Sequence, residues 1–438
     1  MTAAAQSEKA RWRLPLGRVL PLIARHSDTL VSMFDQGLVS GFGFAVGIGA
    51  ARIVGIEEFG RFAIALIFAA FFQAIHNALF VIPMLSLAGR RSSRSRAYYA
   101  TVMVMSAAFA LGGGAVVALA LAAFFGLRDG TLLLQFAVAG GLLTATQCVQ
   151  LTMRRAFFAQ GHGALAFAMD ALRAIAFGLA LTVLVADRVR VDAVLMLWVL
   201  TGSALVSVVA FGFVLRTSRL GMRIARAVAS RHWAVARWLV GVPIVTMGQD
   251  TVVWIFAGVL FGDMAVGGLR ATQYLFGPVL VLMAAMENVI PVRAAAAYGA
   301  GGLPALRAFL WRAGVALGLT VAGFLLLTTV PSRFLLGFVF GPSYAAYYVV
   351  AVVFGIATAC MTARDYLSQY FRAIQKTEAI FYSFIVGAVV VLAAIYPLSY
   401  SLGLLGLALA TLAGQAFSLV YLLVAIRRHH TARPAASA

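Results

Sequence analysis

The most constraining feature of this sequence is a succession of twelve apolar runs, each about 20 residues long. A bilayer core of about 30 Å needs about 20 helical residues to cross it. Because backbone N–H and C=O groups have no water partner in lipid, such runs must form helices. The sequence therefore predicts an all-α polytopic membrane protein with transmembrane helices at 29–51, 62–88, 98–126, 132–153, 164–186, 193–215, 238–260, 268–290, 313–331, 343–362, 379–397 and 403–426.

The composition supports this class and excludes others. Hydrophobic residues make up 63% of the chain and charged residues 11%, whereas soluble domains average about 45–50% and about 25%. The net charge of +20 is spread over several short loops, so we expect no nucleic-acid partner, which would require one basic face. Cys148 and Cys360 are expected to be small packing residues, because two cysteines make no disulfide framework.

The distribution of basic residues predicts the orientation in the membrane. Of the 34 lysines and arginines, 26 fall in the N-terminal segment, the C-terminal tail or the alternate loops on one side. Six fall on the opposite side. Because cytoplasmic loops carry the excess of positive charge, both termini are predicted to be cytoplasmic.

The longest loop divides the chain into two groups of six helices. Both groups begin on the same side of the membrane, so any repeat between them must be parallel. Gly55 lies 28 residues before Pro83 of a Val-Ile-Pro sequence, and Gly262 lies 29 residues before Pro291 of a second one. The predicted units are a basic cytoplasmic N-terminal segment (1–28), an N-terminal lobe (29–215), a basic amphipathic linker on the cytoplasmic lipid surface (216–237), a C-terminal lobe (238–426) and a cytoplasmic tail (427–438).

Aspartates within the apolar runs are the first candidates for a functional site. A charge in hydrocarbon costs at least about 2.5 kcal/mol, so Asp35 on the first helix must face other protein or a water-filled cavity. Asp250 on the seventh helix occupies roughly the same position in its own half. Each is predicted to hold a coupling ion or to balance the charge of an arginine, and the alternative is a structural hydrogen bond.

Other polar side chains share helix faces inside the membrane. Gln73, His76 and Asn77 lie on one face of the second helix. His76 is expected there either as an inter-helix hydrogen-bonding residue or as a proton carrier. Asp170 and Arg173 are three residues apart on the fifth helix, so they are able to pair with each other.

Arginines among these polar residues indicate the chemistry of the ligand. Arginine is the natural partner of phosphate and carboxylate, so a lumen containing Arg52, Arg173 and Arg270 would suit a diphosphate or an acidic sugar better than a lipophilic cation. Substrate contacts are therefore predicted for Arg52, Arg270, Gln273, Gln73, Asn77 and Arg173. Coupling-ion or charge-balancing roles are predicted for Asp35, Asp250, Asp170 and His76.

Enzymatic chemistry has few residues to use in this chain. It holds 14 acidic residues and six histidines, and its sequence has no Walker loop, no metal-spaced His/Cys cluster and no Ser-His-Asp arrangement. We therefore expect no enzyme, no metal and no cofactor, with protons or sodium ions as candidates for coupling.

The sequence ARIVGIEEFGRFAIAL at 51–66 resembles a family motif. The pattern Ala-Arg-x-Leu-Gly-x-x-x-Phe/Tyr-Gly-x-Phe/Tyr occurs at the end of the first helix in Wzx-type polysaccharide flippases. These belong to the multidrug/oligosaccharidyl-lipid/polysaccharide (MOP) exporter superfamily. Val54 replaces the commoner leucine, and the matching positions are Ala51, Arg52, Gly55, Phe59, Gly60 and Phe62.

This resemblance implies a function and a setting. It implies translocation of undecaprenyl-diphosphate-linked oligosaccharides across the bacterial inner membrane, for exopolysaccharide, capsule or lipopolysaccharide O-antigen synthesis. It also implies a V-shaped pair of six-helix lobes around a charged lumen. The expected partners are the lipid-linked oligosaccharide, membrane lipid and the polymerase and export proteins of the polysaccharide, and we expect the protein to act as a monomer.

Three alternatives remain beside this interpretation. A cation-coupled multidrug or small-molecule exporter of the same superfamily is favoured only by the intramembrane acids. A major-facilitator carrier usually has Gly-x-x-x-Asp-Arg-x-Gly-Arg after its second helix, but the loop at 89–97 reads GRRSSRSRA. A membrane-embedded glycosyltransferase often needs a long outer loop or an acidic metal cluster, and the outer loops here are short.

Overall fold

The computed structural model describes residues 16–87, 96–126, 133–213, 222–287 and 289–431, and within these ranges the chain is helical with no strand. The described residues do not include the first part of the basic N-terminal segment, most of the loop at 89–97, the start of the linker or the end of the tail. The prediction of an all-α polytopic fold is confirmed.

The first half contains seven helices in the described ranges. A π turn (Asn77–Val81) joins α2 to α3, so that these two helices form one continuous rod. The helices are α1 (Leu16–Val54), α2 (Ile56–His76), α3 (Ile82–Leu87), α4 (Arg96–Gly126), α5 (Leu133–Ala159), α6 (Gly163–Ala186) and α7 (Ala193–Gly212).

The linker and the second half supply the remaining helices. A 3-10 turn (Pro342–Tyr347) precedes α13. The helices are α8 (Met222–Leu239), α9 (Gly241–Leu275), α10 (Gly277–Glu287), α11 (Ile290–Thr329), α12 (Ser332–Val339), α13 (Tyr348–Ala373), α14 (Glu378–Leu402) and α15 (Leu404–Thr431).

Eleven helices in the described ranges are long and apolar enough to cross a membrane, against the twelve predicted. The difference arises at Gly262, where φ 81° and ψ 178° interrupt α9 and separate the predicted seventh and eighth helices. Gly301 and Gly302 interrupt α11 in the same manner, so its transmembrane part begins about ten residues before the predicted ninth helix. With these glycines as boundaries, all twelve predicted helices are present.

The first predicted boundary falls inside a helix. The sequence analysis separates a basic segment (1–28) from the first transmembrane helix, whereas α1 runs without interruption from Leu16 to Val54. Helices continue until a breaker or a capping residue ends them, and the first residue with a non-helical backbone after Leu16 is Gly55.

The backbone supports a parallel repeat between the two halves. Gly55 has φ 83° and ψ 171°, nearly the values of Gly262, in a region open essentially to glycine alone. The loops after α5 and α13 also match. His162 N–H donates to Phe157 O at 2.8 Å, and Lys376 N–H donates to Phe371 O at 2.9 Å, which is the bond of a Schellman turn.

The two lobes meet where α2 crosses α9. A Cβ atom added to Gly60 would overlap the carbonyl oxygen of Asp263, and one added to Gly267 would overlap the carbonyl oxygen of Ile56. Each of these glycines lies five residues after its helix-breaking glycine. The crossing is therefore close to symmetric, and it depends on two glycines at the same register.

Hydrogen bonds to the main chain join the lobes beside this crossing. We call the contact of residues 51–62 with 263–264 and 338–347 the outer seam, after the side that the distribution of basic residues predicts to face away from the cytoplasm. The Arg52 guanidinium donates to the carbonyl oxygens of Phe338 and Val339, at the C-terminus of α12. The Tyr344 hydroxyl donates to Ala51 O at 3.1 Å. The outer seam thus satisfies helix-terminal carbonyls of both lobes with side chains from the opposite lobe.

Acids and aromatic rings complete the outer seam. Arg61 forms ion pairs with Glu57, Glu58 and Asp263, which lie in the first turns after the two breaking glycines. Phe59 is buried, and its ring lies 6.3 Å from that of Tyr274 in the other lobe, centroid to centroid. Acidic side chains are favourable at helix N-termini. Arg61 links the two glutamates at the start of α2 to Asp263, which follows the break in α9.

The basic helix α8 docks on the N-terminal lobe. Val228 is buried in a cluster with Met84 and Tyr98, and the Tyr98 hydroxyl lies 3.0 Å from His232 Nε2. Burial lowers the pKa of His232, against the opposing effect of the Leu79 backbone, so this contact favours the neutral ring. Met222, Ile224 and Trp233 remain exposed, as expected for a helix with one face toward lipid.

We predict that Gly60→Ala opens the outer seam. The added methyl group overlaps backbone that cannot move aside, so α2 and α9 must separate. In a variant without the native cysteines, a cysteine at Phe59 should react with a membrane-impermeant thiol reagent several-fold faster after this substitution. Gly49→Ala is the matched control, because its Cβ meets nothing within 4 Å. Equal reaction rates in both variants would contradict the role of the crossing.

Candidate functional site

Two neighbouring cavities lie where the lobes face each other. The larger central cavity has a volume of about 370 Å³ and is walled by α1, α2, α5, α6 and α7 of the first lobe, with Tyr274 from the second. The smaller central cavity has a volume of about 290 Å³ and lies between α1, α9 and α10. Gly43 and Tyr274 line both, so the two cavities are adjacent.

A buried charge network forms one wall of the larger central cavity. The Arg154 guanidinium pairs with Asp35 on α1 and with Asp170 on α6. The Gln150 amide donates to Asp170 Oδ1 at 3.2 Å. Asp35 is only 1% exposed, so its predicted charge-balancing role is the one that this geometry favours. A buried ion pair of this kind persists only with good geometry and further hydrogen bonds.

Arg173 faces the same cavity with an incomplete set of partners. Its guanidinium donates to Gln150 Oε1 at 2.5 Å and lies 5.2 Å from the centre of the Phe42 ring. Its Nε–H is buried and has no acceptor in the described part of the chain. Asp170 acts on it only electrostatically. An unsatisfied cationic donor in a polar cavity is suited to an anionic ligand.

Arg270 has a similar arrangement in the smaller central cavity. Its guanidinium donates to Gln273 Oε1 at 3.0 Å and packs over the rings of Trp254 and Tyr274. Its Nε–H is also buried without an acceptor among the described residues. The predicted cluster of Arg270 and Gln273 is therefore present, and both residues line a cavity.

Asp250 is exposed and lies apart from Asp35. It forms no hydrogen bond or ion pair with residues that the structure describes, and Arg364 and Arg270 are the charges that act on it. Asp250 lies 12 residues before Gly262, whereas Asp35 lies 20 residues before Gly55. Counted from the breaking glycine of each half, the two offsets differ by eight residues, or about 12 Å of helix rise. The two acids therefore do not occupy equivalent positions in the two halves.

His76 lies inside the N-terminal lobe, away from both cavities. It is fully buried, and its Nε2 lies 2.9 Å from Ser106 Oγ, which in turn lies 2.8 Å from Thr152 Oγ1. This chain of contacts joins α2, α4 and α5. The geometry favours the inter-helix hydrogen bond among the two predicted alternatives for His76.

The remaining predicted residues are divided between the cavities and other positions. Gln73 lines the larger central cavity. Asn77 is half-buried at the start of the π turn and lines neither cavity. Arg52 lies in the outer seam, where carbonyl oxygens occupy its guanidinium, so it does not join Arg173 and Arg270 as a lumen residue in this conformation.

Sequence reasoning assigned no role to two buried arginines, Arg154 in the wall of the larger central cavity and Arg364 in the second lobe. Arg154 comes one residue after the predicted end of the fourth helix and Arg364 two residues after that of the tenth, and both belong to the basic residues of the predicted cytoplasmic loops. In the structure α5 and α13 continue past them, and both are buried. Arg364 bonds Asp365 and Gln415. The spacing of Gln150 and Arg154, four residues apart on one helix face, was the available signal.

The described residues hold no group of three or more His, Cys, Asp or Glu side chains arranged for a metal ion. Cys148 is buried and Cys360 half-buried, and neither is in a disulfide. The polar chemistry of the cavities consists of guanidinium, carboxylate, amide and phenol groups. Such groups are able to bind anions, cations and neutral polar ligands.

The fold is a two-lobed bundle of helices long and apolar enough to cross a membrane, with polar cavities where the lobes face each other. Several solved structures are similar to this chain in fold. An inward-facing multidrug resistance MATE family transporter is similar with a TM-score of 0.72 and 16% identity, over 92% of this chain and 96% of that one. The lipid II flippase MurJ, inward closed, is similar with a TM-score of 0.63 and 12% identity, over 91% and 87%.

An outward-facing MATE family transporter is also similar, with a TM-score of 0.57 and 14% identity, over 92% of this chain and 94% of that one. No family model matches the sequence, and a comparison with curated proteins gives no significant match.

We predict that Arg154→Met destabilises the protein by about 3–5 kcal/mol, because it leaves two buried carboxylates without their partner. The triple variant Asp35→Asn, Arg154→Met, Asp170→Asn should recover most of this loss, since it removes the two carboxylates together with the arginine that pairs with both. Thermal unfolding in detergent measures both effects.

Arg293→Met is the matched control, because Arg293 is exposed and forms no ion pair in the described part of the chain. A triple variant as unstable as the single one would show that the network does not act through charge balance.

Proposed function

We propose that this protein is a flippase for undecaprenyl-diphosphate-linked oligosaccharides, which it moves from the cytoplasmic to the outer leaflet of the bacterial inner membrane. The MOP transporter fold is common to exporters and to a lipid flippase, so the substrate must be argued from the cavities. The polar head group cannot cross hydrocarbon unaided, because each buried hydroxyl without a partner costs several kcal/mol.

One observation carries the proposal: two arginines at the cavity walls each have an N–H donor that no acceptor occupies. Arg173 and Arg270 bond neutral amides, and each keeps a buried Nε–H without an acceptor among the described residues. Guanidinium groups bind phosphate through two parallel N–H···O bonds. Two such groups, one from each lobe, fit the two phosphates or the acidic sugars of an anionic head group.

The carboxylates of the N-terminal lobe do not cancel this preference. Asp35 and Asp170 both pair with Arg154, and Arg155 and Arg173 act on the same acids only electrostatically. The two acids and three arginines together carry a net charge of +1, so an anionic ligand is still favoured beside Arg173. The glutamines Gln73 and Gln147 line the same wall and offer donors and acceptors to sugar hydroxyls. The cavity therefore supplies both an anion site and neutral polar groups.

In this proposal, transport requires the outer seam to open. In the conformation described, the outer seam is closed, and the glycine crossing holds the lobes together at that end. Loss of the bonds of Arg52 and Tyr344 would free α12 and the α1–α2 corner. Rocking of the two lobes would expose the same cavities to the other side.

A cation-coupled multidrug exporter is the second candidate, and Asp250 favours it. This acid is exposed on α9 and lacks an ion pair within the described residues, so it is available to a proton, a sodium ion or a cationic drug. Resistance assays in an efflux-deficient host test this candidate directly. Resistance that depends on Asp250, with no exchange of lipid-linked sugar, would replace the flippase proposal.

We predict that Arg173→Gln lowers exchange of a fluorescent polyprenyl-diphosphate oligosaccharide between liposome leaflets by about tenfold or more. The substitution removes a charge-assisted contact to phosphate, worth about 1.5–3 kcal/mol. Arg173→Lys keeps the charge and should retain part of the activity. Arg270→Gln should have an effect of the same direction.

Arg333→Gln is the matched control, because it removes the same charge from a residue that lines neither cavity. All variants should unfold at similar temperatures, which separates lost transport from lost structure. Wild-type exchange in both Arg173→Gln and Arg270→Gln would contradict the anion site.

A further inference from the structure

An apolar groove runs along the second lobe, outside the two central cavities. It lies between α11 and α13, with Ile426 of α15 at one end, and has a volume of about 630 Å³. Its lining is almost entirely aliphatic and aromatic, and Arg307 is the charged residue in it. Trp311 and Val315 on its rim are exposed. None of its residues takes part in the sites described above.

We propose that this groove binds the polyprenyl chain of the substrate while the head group is in the central cavities. The inference rests on the proposed function, since it names a place for the tail of that substrate. The groove presents apolar surface along membrane-spanning helices, so its occupant must be a hydrocarbon chain.

The length of the groove selects among hydrocarbon chains. Lining residues on α11 extend from Arg307 to Leu325, which corresponds to about 27 Å of helix. A bilayer core measures about 30 Å, so an acyl chain of one leaflet covers about half of it. A groove nearly as long as the whole core fits a long isoprenoid chain better than the acyl chain of a phospholipid.

The single charge lies at the end where a phosphate would be. Arg307 lies on α11 shortly after the break at Gly301 and Gly302, and it is among the arginines that the positive-inside count assigns to the cytoplasmic side. A lipid-linked substrate made in the cytoplasm enters with its diphosphate at that surface. Arg307 would then attract the phosphate at the mouth of the groove, and the chain would extend along α11.

Two glycines on α11 shape the floor of the groove. A Cβ at Gly314 would lie 2.8 Å from the Tyr366 ring, so this glycine allows α13 to approach. Gly318 also lines the groove, and a Cβ there would meet nothing within 4 Å. A larger residue at Gly318 would therefore fill the groove without a clash against the backbone.

Fluorescence quenching tests the proposal. The probe is a polyprenyl monophosphate with a brominated chain, added as a trace component to nanodiscs of unbrominated phospholipid. The emission of Trp311 is the difference between the wild type and Trp311→Phe. We expect the probe to quench this emission, while a brominated phospholipid at the same trace level does not.

Filling variants make the test specific to the groove. Gly318→Leu should weaken the quenching about tenfold, because each displaced methylene of the guest is worth about fourfold in affinity. Ala322→Phe fills the groove one turn further along and should act in the same direction. Gly323→Leu, on the same helix but outside the groove, is the matched control. Equal quenching by both lipids, or unchanged quenching in both filling variants, would overturn the proposal.

The readout is independent of translocation. Binding of a polyprenyl monophosphate requires no sugar and no leaflet exchange. Quenching without exchange in liposomes would remove the proposed function and retain the groove as a site for polyprenyl phosphate. Exchange without quenching would remove the groove alone.

Discussion

The close crossing of α2 and α9 is the contact on which the arrangement of the two lobes depends. Gly60 and Gly267 have no side chain, and only for that reason does each helix backbone reach the other. The approach brings Asp263 to Arg61 and Tyr274 to Phe59. Tyr274 in turn forms part of both central cavities. A contact at one end of the molecule therefore positions the polar walls in its middle.

Charge pairing divides the buried ionic groups into two kinds. Arg154 forms ion pairs with Asp35 and Asp170 within one lobe, which stabilises that lobe and contributes little to ligand binding. Arg173 and Arg270 bond neutral amides and retain donors. Because an unpaired buried charge is costly, the arginines that remain incompletely satisfied at a cavity wall are the groups with the most to gain from an anion.

The sequence motif at 51–62 has a clear structural meaning. Arg52 caps the C-terminus of α12, Gly55 separates α1 from α2, and Gly60 permits the crossing of α2 and α9. In the structure, a motif by which the sequence resembles flippases is thus a device that closes two lobes, and it touches neither central cavity. Assignment of Arg52 to the substrate came from its charge, which is equally suited to backbone carbonyls.

Hydrophobic run length predicted the twelve helices from the sequence alone, because the thickness of the bilayer dictates the length of each span and the absence of water in lipid requires its backbone to be helical. Periodicity grouped Arg173, Gln73, Arg270 and Gln273 as candidate lumen residues, and these four line the two central cavities in the structure. Only the tertiary structure decided which acid meets which arginine. Helices α5 and α13 extend beyond their apolar runs, so Arg154 and Arg364 are buried by neighbouring helices, and burial by neighbours is a property that no local window of sequence contains.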